Sequence, residues 1–245
     1  MTLDGYTLFK YKQAKALIPY SNALILDVGC GSGIGCCYLA CKRKQNHVIG
    51  IDISSTSKPR LWKSTFTFIK MDCSQMGFKD NCFDAVIMLS VLEHLLNPLQ
   101  CLKEIRRILK PGGILILSTP NRLASSPNLN LKKSLSLDHV KEYSPRELRS
   151  IISALFMVDD LFGVKISNPA YALREKHFKN SLRFKVASIL LQLDVLRLFC
   201  KHVPAYFKNA LAGLPMPSDF SYKDYAISRE NLEKAKILWC IAKKE

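Results

Sequence analysis

A glycine-rich turn between an apolar run and a helical pattern constrains the fold of this chain more than any other feature. Residues 23–28 (ALILDV) are almost continuously apolar, and glycines stand at positions 29, 31 and 33, before a helix predicted over residues 33–44. Near-continuous apolar character is typical of a strand that is buried on both faces. Alternating glycines let the chain turn sharply and let a ligand approach the backbone closely. The pattern therefore predicts a strand–turn–helix unit with a ligand site at the turn.

Further strand and helix patterns along the chain predict the fold class. Short apolar runs predict more strands, at residues 47–51, 65–71, 83–89, 114–118, 157–166 and 237–242. Helical patterns lie between several of them, and the clearest begin at Asn97-Pro98 and at a capping box, Ser144–Glu147. This alternation predicts an α/β fold with a doubly wound, Rossmann-like sheet of seven mostly parallel strands.

Composition limits the partners and the compartment. The chain has 36 Lys+Arg against 20 Asp+Glu, a formal charge of +16, which favours anionic partners such as nucleic acid, phosphorylated metabolites or acidic lipid. Nine cysteines without paired metal-type spacing are expected to be reduced thiols, and no metal is predicted. Without a signal-peptide pattern or a transmembrane stretch, we predict a cytoplasmic protein. The basic segment Arg174–Lys185 leaves peripheral contact with acidic membranes open.

Acidic residues at the ends of successive strands add to the predicted site. The turn fits neither the dinucleotide pattern G-x-G-x-x-G nor a P-loop, because Ile34 and Cys36 occupy the sixth positions and no Gly-Lys-Ser/Thr follows. Asp52 closes the second strand, where a carboxylate can accept hydrogen bonds from a ribose diol. Asp72-Cys73 closes the third strand, where the Asp could accept a hydrogen bond from an adenine amino group and the following backbone N–H could bind a ring nitrogen. Together these strand ends predict a nucleoside-shaped crevice.

Several motifs, in order along the chain, resemble those of class I S-adenosylmethionine-dependent methyltransferases, particularly the ubiquinone- and menaquinone-biosynthesis type enzymes. The resemblance spans about residues 8–166 and resumes in the C-terminal strand. The matching stretches are residues 25–33 (ILDVGCGSG), 50–52 (GID), 83–86 (FDAV), 91–95 (VLEHL), 109–113 (LKPGG) and 139–144 (HVKEYS). The resemblance implies S-adenosyl-L-methionine as the cofactor and the methyltransferase fold.

The resemblance also implies a role for each matching residue. The turn Gly29-Cys30-Gly31-Ser32-Gly33 would hold the methionine end of the cofactor, with support from Asp27. Asp52 would take the ribose hydroxyls and Ile53 would pack on the adenine. Asp72 and Cys73 would read the adenine edge, and Leu89 or Ser90 would offer backbone to the methionine amino group.

The domain organisation follows from the same resemblance. Residues 1–245 are expected to form one methyltransferase domain, with an N-terminal helix within residues 1–20 over the cofactor site. A helical insertion is expected over residues 169–225, before the last strand. It is either a lid over the acceptor pocket or a hairpin that only covers apolar sheet surface, and the sequence leaves both open.

Two histidines are candidates for the catalytic base. Methyl transfer to a hydroxyl or an amine needs a group that removes a proton near neutral pH, most often histidine. His94 follows the fourth strand and His139 follows the fifth, so both are expected to face the crevice. A structural role for each, as a helix cap or a partner of a backbone carbonyl, stays open. Some relatives carry a Glu three residues before the Glu-His pair and bind a divalent metal, but this chain has Ser90 there.

Three classes of function remain after this reasoning. The first is methylation of a small-molecule or lipid- or carrier-linked acceptor, with oxygen favoured as the methylated atom. The second is tRNA or other RNA methylation, which the positive charge favours, although neither an Asn/Asp-Pro-Pro-Tyr motif nor a Pro-Cys pair is present. The third is a protein that binds S-adenosylmethionine without catalysis.

Overall fold

The computed structural model describes residues 4–40, 46–54, 66–125, 136, 138–167 and 221–245. Two sequence-based predictions lie outside these residues. They are the last part of the helix predicted over 33–44, and nearly all of the 169–225 insertion with its basic segment.

The described residues form an eight-stranded sheet in the order β3-β2-β1-β4-β5-β8-β6-β7. The strands are β1 (Leu24–Val28), β2 (His47–Asp52), β3 (Thr67–Lys70), β4 (Phe83–Leu89), β5 (Leu109–Pro120), β6 (Met157–Ile166), β7 (Tyr225–Ser228) and β8 (Ile237–Lys243). The neighbours from β3 to β5 pair in parallel. Strand β8 pairs antiparallel with both β5 and β6, and β7 pairs antiparallel with β6. The predicted mostly parallel α/β sheet is therefore confirmed.

Five α-helices accompany the sheet in the described part of the chain. They are α1 (Gly5–Leu17), α2 (Ile34–Ala40), α3 (Pro98–Ile108), α4 (Arg122–Ser125) and α5 (Pro145–Ser153). Helix α3 begins as predicted, since the Asn97 side chain accepts a hydrogen bond from Gln100 N and Pro98 follows it. Helix α5 begins with the predicted capping box between Ser144 and Glu147. Among the described residues, no helix has the length and apolar character that a bilayer crossing requires.

Strand β4 shows how both faces of the sheet are buried. Phe83, Val86 and Met88 belong to an apolar cluster on one face. Ala85 and Ile87 belong to the cluster on the other face, which also contains residues of α1. Burial on both sides explains the near-continuous apolar character of the central strands.

Two details of the sheet differ from the sequence-based prediction. The described residues form eight strands rather than seven, because residues 225–228 form an edge strand against β6. Strand β5 begins at Leu109 rather than Ile114, since Leu109 pairs with Phe83 ahead of an irregularity in the register. The Lys110–Gly113 stretch ends helix α3 as predicted but lies within this strand.

The strand order β2-β1-β4-β5 determines where the site lies. Strands β1 and β4 are neighbours; β2 and β3 lie beyond β1 on one side, and β5 lies beyond β4 on the other, so the strand order reverses between β1 and β4. In an open α/β sheet, ligands bind beyond the carboxyl ends of the strands at such a switch point. The predicted site residues after β1, β2 and β4 therefore lie at one edge of the sheet.

Candidate functional site

The glycine turn after β1 leaves space beside its backbone. Gly29, Gly31 and Gly33 all have positive φ angles, of +71°, +54° and +77°. A Cβ atom on Gly29 would lie 2.3 Å from Val91 Cγ2, whereas one on Gly31 would meet no atom within 4 Å. The middle of the turn is therefore open to a ligand, while its first glycine is needed for packing.

Cys30 supports the turn from below. Its backbone N–H donates to Ile51 O at 3.0 Å, beside the 2.8 Å bond from Gly29 N to the same oxygen. Its side chain is buried, and its Sγ atom packs against Gly50. A Cβ atom on Gly50 would lie only 2.8 Å from this sulfur. Cys30 is thus placed to shape the turn, with its thiol directed into the protein.

Asp52 joins the glycine turn to the end of β2. One carboxylate oxygen accepts from Gly31 N at 2.9 Å. The other accepts from the backbone N and the hydroxyl of Ser54, both at 2.8 Å. The next residue, Ile53, is 70% exposed, so its apolar side chain is accessible to a ligand. The structure thus brings a fixed carboxylate and an uncovered apolar surface together at the open part of the turn.

Asp27 lies behind the turn and is buried, with 1% of its surface exposed. Its Oδ2 accepts from the Tyr11 hydroxyl at 2.8 Å and from the Cys36 thiol at 3.2 Å. Its Oδ1 has no hydrogen-bond partner among the described residues. Burial raises the pKa of Asp27 to about 6, against the opposing hydrogen bonds from Tyr11 and Cys36.

Helix α1 lies beside this edge of the sheet and sends polar side chains to it. Lys10 Nζ lies 3.4 Å from Ser90 Oγ and 4.6 Å from the centre of the Tyr6 ring. Burial lowers the pKa of Lys10, while the carboxylates of Glu93, Asp4 and Asp27 oppose that shift. Burial also raises the pKa of Tyr6, whose side chain forms a hydrogen bond with Ser90. A lysine amine therefore lies between the ends of β1 and β4.

The remaining residues expected to bind the cofactor follow β3 and β4. Ser90 has φ +58° and donates its backbone N–H to Ser118 O at 2.9 Å, and Leu89 is buried at the end of β4. Asp72 is exposed and accepts from both Ser74 N and Ser74 Oγ, which lowers its pKa. Cys73 is buried against Cys101. Their expected contacts with adenine and the methionine amino group stay predictions.

His94 and His139 are adjacent in the structure. Their ring centroids are 4.9 Å apart and the ring planes are nearly perpendicular. His94 Nδ1 lies 2.8 Å from the Asp138 carbonyl oxygen, and His139 Nδ1 lies 2.8 Å from Glu142 Oε1. The segment that carries His139 is attached to the turn after β4, because Val140 N donates to the Glu93 carbonyl at 2.7 Å.

Glu93 is a buried carboxylate beside both histidines. One oxygen accepts from the Thr119 hydroxyl at 3.0 Å, and Oε1 has no hydrogen-bond partner among the described residues. Burial raises its pKa, and the charges of His139 and His94 act in the opposite direction. One side-chain atom from each of Glu93, His94 and His139 lies within 4.8 Å of the others, which is close enough for a metal ion to bridge them. The prediction that no metal binds stays a prediction.

The structure adds residues that sequence reasoning did not single out. Tyr6, Lys10 and Tyr11 reach the site from α1, whose weakly amphipathic sequence gives no sign of which face lies inward. Thr119 reaches Glu93 from β5. Glu142 lies within the stretch 139–144 that carries the family resemblance, and its spacing of three from His139 is the one signal that could have identified it.

Comparisons with known proteins agree with this arrangement. Residues 26–117 match the family described as a methyltransferase domain. A probable S-adenosylmethionine-dependent methyltransferase of Mycolicibacterium smegmatis is 30% identical over 144 residues, which cover 57% of this chain and 54% of that protein. A ubiquinone biosynthesis O-methyltransferase of Maricaulis maris is 33% identical over 115 residues, or 44% of each chain. The chain thus matches about half the length of these curated relatives.

Solved structures share the fold over almost the whole chain. A SAM-dependent methyltransferase of Thermotoga maritima aligns with a TM-score of 0.61 and 19% identity, and covers 98% of this chain and 90% of its own. The resemblance to class I methyltransferases that the sequence indicated is confirmed, and S-adenosylmethionine is the cofactor of that family.

Proposed function

We propose that this chain, of which residues 26–117 match the methyltransferase domain family, transfers a methyl group from S-adenosylmethionine to an oxygen atom of a small-molecule or carrier-linked acceptor. The observation that carries the proposal is the joint position of Gly31 and Asp52. The backbone of Gly31 borders open space and its N–H is held by the Asp52 carboxylate. Such a pairing suits a ligand whose ribose binds Asp52 and whose charged tail lies along the backbone of the glycine turn.

The described residues fit the cofactor. The turn Gly29–Gly33 offers a cradle that a Cβ on Gly31 would begin to fill, and behind it one carboxylate oxygen of Asp27 has no partner among the described residues. Asp52 would bind the ribose hydroxyls and Ile53 would cover one face of the adenine. The amine of Lys10 would offer positive charge to the methionine carboxylate. These five features come from three separate parts of the chain and support the same ligand.

Bound S-adenosylmethionine supplies an electrophilic methyl group on a sulfonium. What remains for the protein is to align the acceptor, exclude water and remove a proton. Helix α1 places the side chains of Tyr6 and Lys10 beside Ser90, just after β4. His94 and His139 lie beside the end of β4, where either imidazole can accept the proton of an acceptor hydroxyl. This paired arrangement supports transfer to oxygen, as does the likeness to the ubiquinone biosynthesis O-methyltransferase.

Calorimetric titration tests the cofactor part of the proposal. We expect S-adenosylmethionine and S-adenosylhomocysteine to bind and NAD to give no heat of binding. Asp52→Ala should abolish binding of the first two. Asp159→Asn is the matched control, because Asp159 pairs with Lys243 near the start of β6, at the opposite edge of the sheet. A wild-type protein that ignores S-adenosylmethionine at millimolar concentration would contradict the proposal.

A screen of acceptors tests the chemical part. Radiolabelled methyl transfer to phenolic, carboxylic and amine acceptors, and to tRNA, would show which atom is methylated. Transfer to a phenol or carboxylate supports the proposal. Transfer to tRNA with a steep dependence on salt would favour an RNA methyltransferase instead. Cofactor binding without transfer to any acceptor would favour a non-catalytic binding protein.

A further inference from the structure

We propose that Glu142 is a positioning residue that holds His139 in the tautomer with its proton on Nδ1. The catalytic purpose of this tautomer rests on the proposed function. A proton on Nδ1 leaves the lone pair on Nε2, and that lone pair would take the proton of the acceptor. The physical basis of the proposal is the contact between the buried side chain of Glu142 and the half-buried side chain of His139. The distance from His139 Nδ1 to Glu142 Oε1 is 2.8 Å, and the side chains are 17% and 4% exposed.

The surroundings of Glu142 keep it in place beside His139. The next residues, Tyr143 and Ser144, are buried, and Tyr143 forms a bridge with Asn121 at the end of β5. Ser144 then begins helix α5 with its capping box. The buried residues that follow Glu142 therefore hold its backbone in place beside His139.

The carboxylate determines which ring nitrogen carries the proton. An ionised carboxylate only accepts hydrogen bonds, so the ring nitrogen that faces it must carry the hydrogen. The bond made by one nitrogen of a histidine fixes the protonation of the other. In water a neutral imidazole favours the opposite tautomer, with the proton on Nε2. Glu142 is thus required to invert the ordinary preference of His139.

His94 offers an internal comparison. Its Nδ1 lies 2.8 Å from the Asp138 carbonyl oxygen, which can only accept. The proton of neutral His94 is therefore also on Nδ1, and a backbone group determines this. The two adjacent rings have the same tautomer for different reasons, so a change at Glu142 should alter one and leave the other.

Nitrogen-15 NMR of histidine-labelled protein tests the proposal without any acceptor. The protein is freed of metal with a chelator and measured at about pH 8, and resonances are assigned with His94→Gln and His139→Gln. We expect both rings in the wild type to show the Nδ1–H pattern. In Glu142→Ala, His139 should change to the Nε2–H pattern while His94 keeps its own. In Glu142→Gln, whose amide oxygen still accepts, His139 should retain Nδ1–H.

Two results would overturn the proposal. The first is an Nε2–H pattern for His139 in the wild type, which needs no variant and so does not depend on folding. The second is an unchanged Nδ1–H pattern in a folded Glu142→Ala protein. Binding of S-adenosylmethionine, measured by calorimetry on the same samples, reports separately on the proposed function. A negative NMR result would leave cofactor binding intact, and a loss of cofactor binding would leave the tautomer of His139 unchanged.

Discussion

The hydroxyl of Tyr11 donates a 2.8 Å hydrogen bond to the buried carboxylate of Asp27, and so ties helix α1 to the end of β1 directly behind the glycine turn. The two residues stand in different structural elements, and each needs the other. Asp27 is too deeply buried to be hydrated, and Tyr11 is buried with its polar end inward. The covering helix and the ligand turn are therefore expected to respond together when either residue is changed.

Tyr11→Phe should destabilise the fold by about 1–3 kcal/mol, because it removes one of the two donors to a buried carboxylate oxygen and leaves only the weaker Cys36 thiol. It should also raise the pKa of Asp27 above its value of about 6, since the Tyr11 hydrogen bond lowers that pKa in the wild type. Urea denaturation measures the loss of stability. Tyr20→Phe is the matched control, because Tyr20 is exposed. Equal stability of the two variants would contradict the importance of this bond.

The pKa of Asp27 predicts a pH dependence of stability. Its pKa in the folded protein, about 6, lies above the ordinary 3.8, so the native state binds the proton more tightly than the unfolded chain. Stability contributed by this group is therefore full below about pH 4 and decreases as the pH rises to about 6. The loss is on the order of 3 kcal/mol.

The Asp27→Asn variant isolates this effect, because it lacks the titrating group. The free energy of unfolding of the wild type relative to the variant should fall between about pH 4 and pH 6 and stay level above that. A series of denaturant titrations across this range makes the measurement. A difference that rises with pH in this window would show that Asp27 has a lowered pKa.

Two glycine substitutions should separate packing from ligand access. Both Gly29 and Gly31 have positive φ angles, so alanine costs roughly 1–2 kcal/mol of backbone strain at each. Gly29→Ala adds a clash with Val91, so it should melt at the lower temperature. Gly31→Ala should fold and lose affinity for S-adenosylmethionine. Undiminished binding by a folded Gly31→Ala protein would place the ligand away from the turn.

Lys10→Met should weaken S-adenosylmethionine binding by about 10- to 100-fold, because a hydrogen bond from a charged group contributes roughly 1.5–3 kcal/mol. Lys12→Met is the matched control, since Lys12 lies on the same helix but is exposed and stacks over Tyr222. Calorimetry with S-adenosylmethionine compares the two. Equal affinities would remove Lys10 from the cofactor site.

His139→Asn should reduce kcat by about 10²- to 10⁴-fold, the usual contribution of a general base, and leave cofactor affinity unchanged. The measurement uses the acceptor that the screen identifies. His47→Asn is the control, because His47 lies at the start of β2, at the amino edge of the sheet. A kcat close to that of the wild type would favour a structural role for His139.

Sequence reasoning predicted the parts of the site that depend on local patterns. The apolar run before Asp27, the glycine turn and the strand end at Asp52 are neighbours along the chain or follow from parallel strand order. Asn97 and Ser144 were identified as helix starts because capping needs particular side chains at particular spacings.

The remaining features depend on contacts between distant parts of the chain. Nothing near Lys10 indicates that it meets Ser90, because the register of α1 against the sheet is set by packing. Strand β7 was missed because four residues, half-buried or exposed, show no clear alternation. The early start of β5 was missed because Pro111 and the glycines after it usually interrupt a strand.

The position of β8 has a consequence for the order in which the protein assembles. It follows every other described strand along the chain, yet it lies between β5 and β6 in the sheet. During synthesis, β6 has no partner on the side of the parallel strands until residues 237–243 have left the ribosome. The antiparallel pair β6–β7 therefore has one unpaired edge until then, and the sheet is completed only when the last strand is inserted.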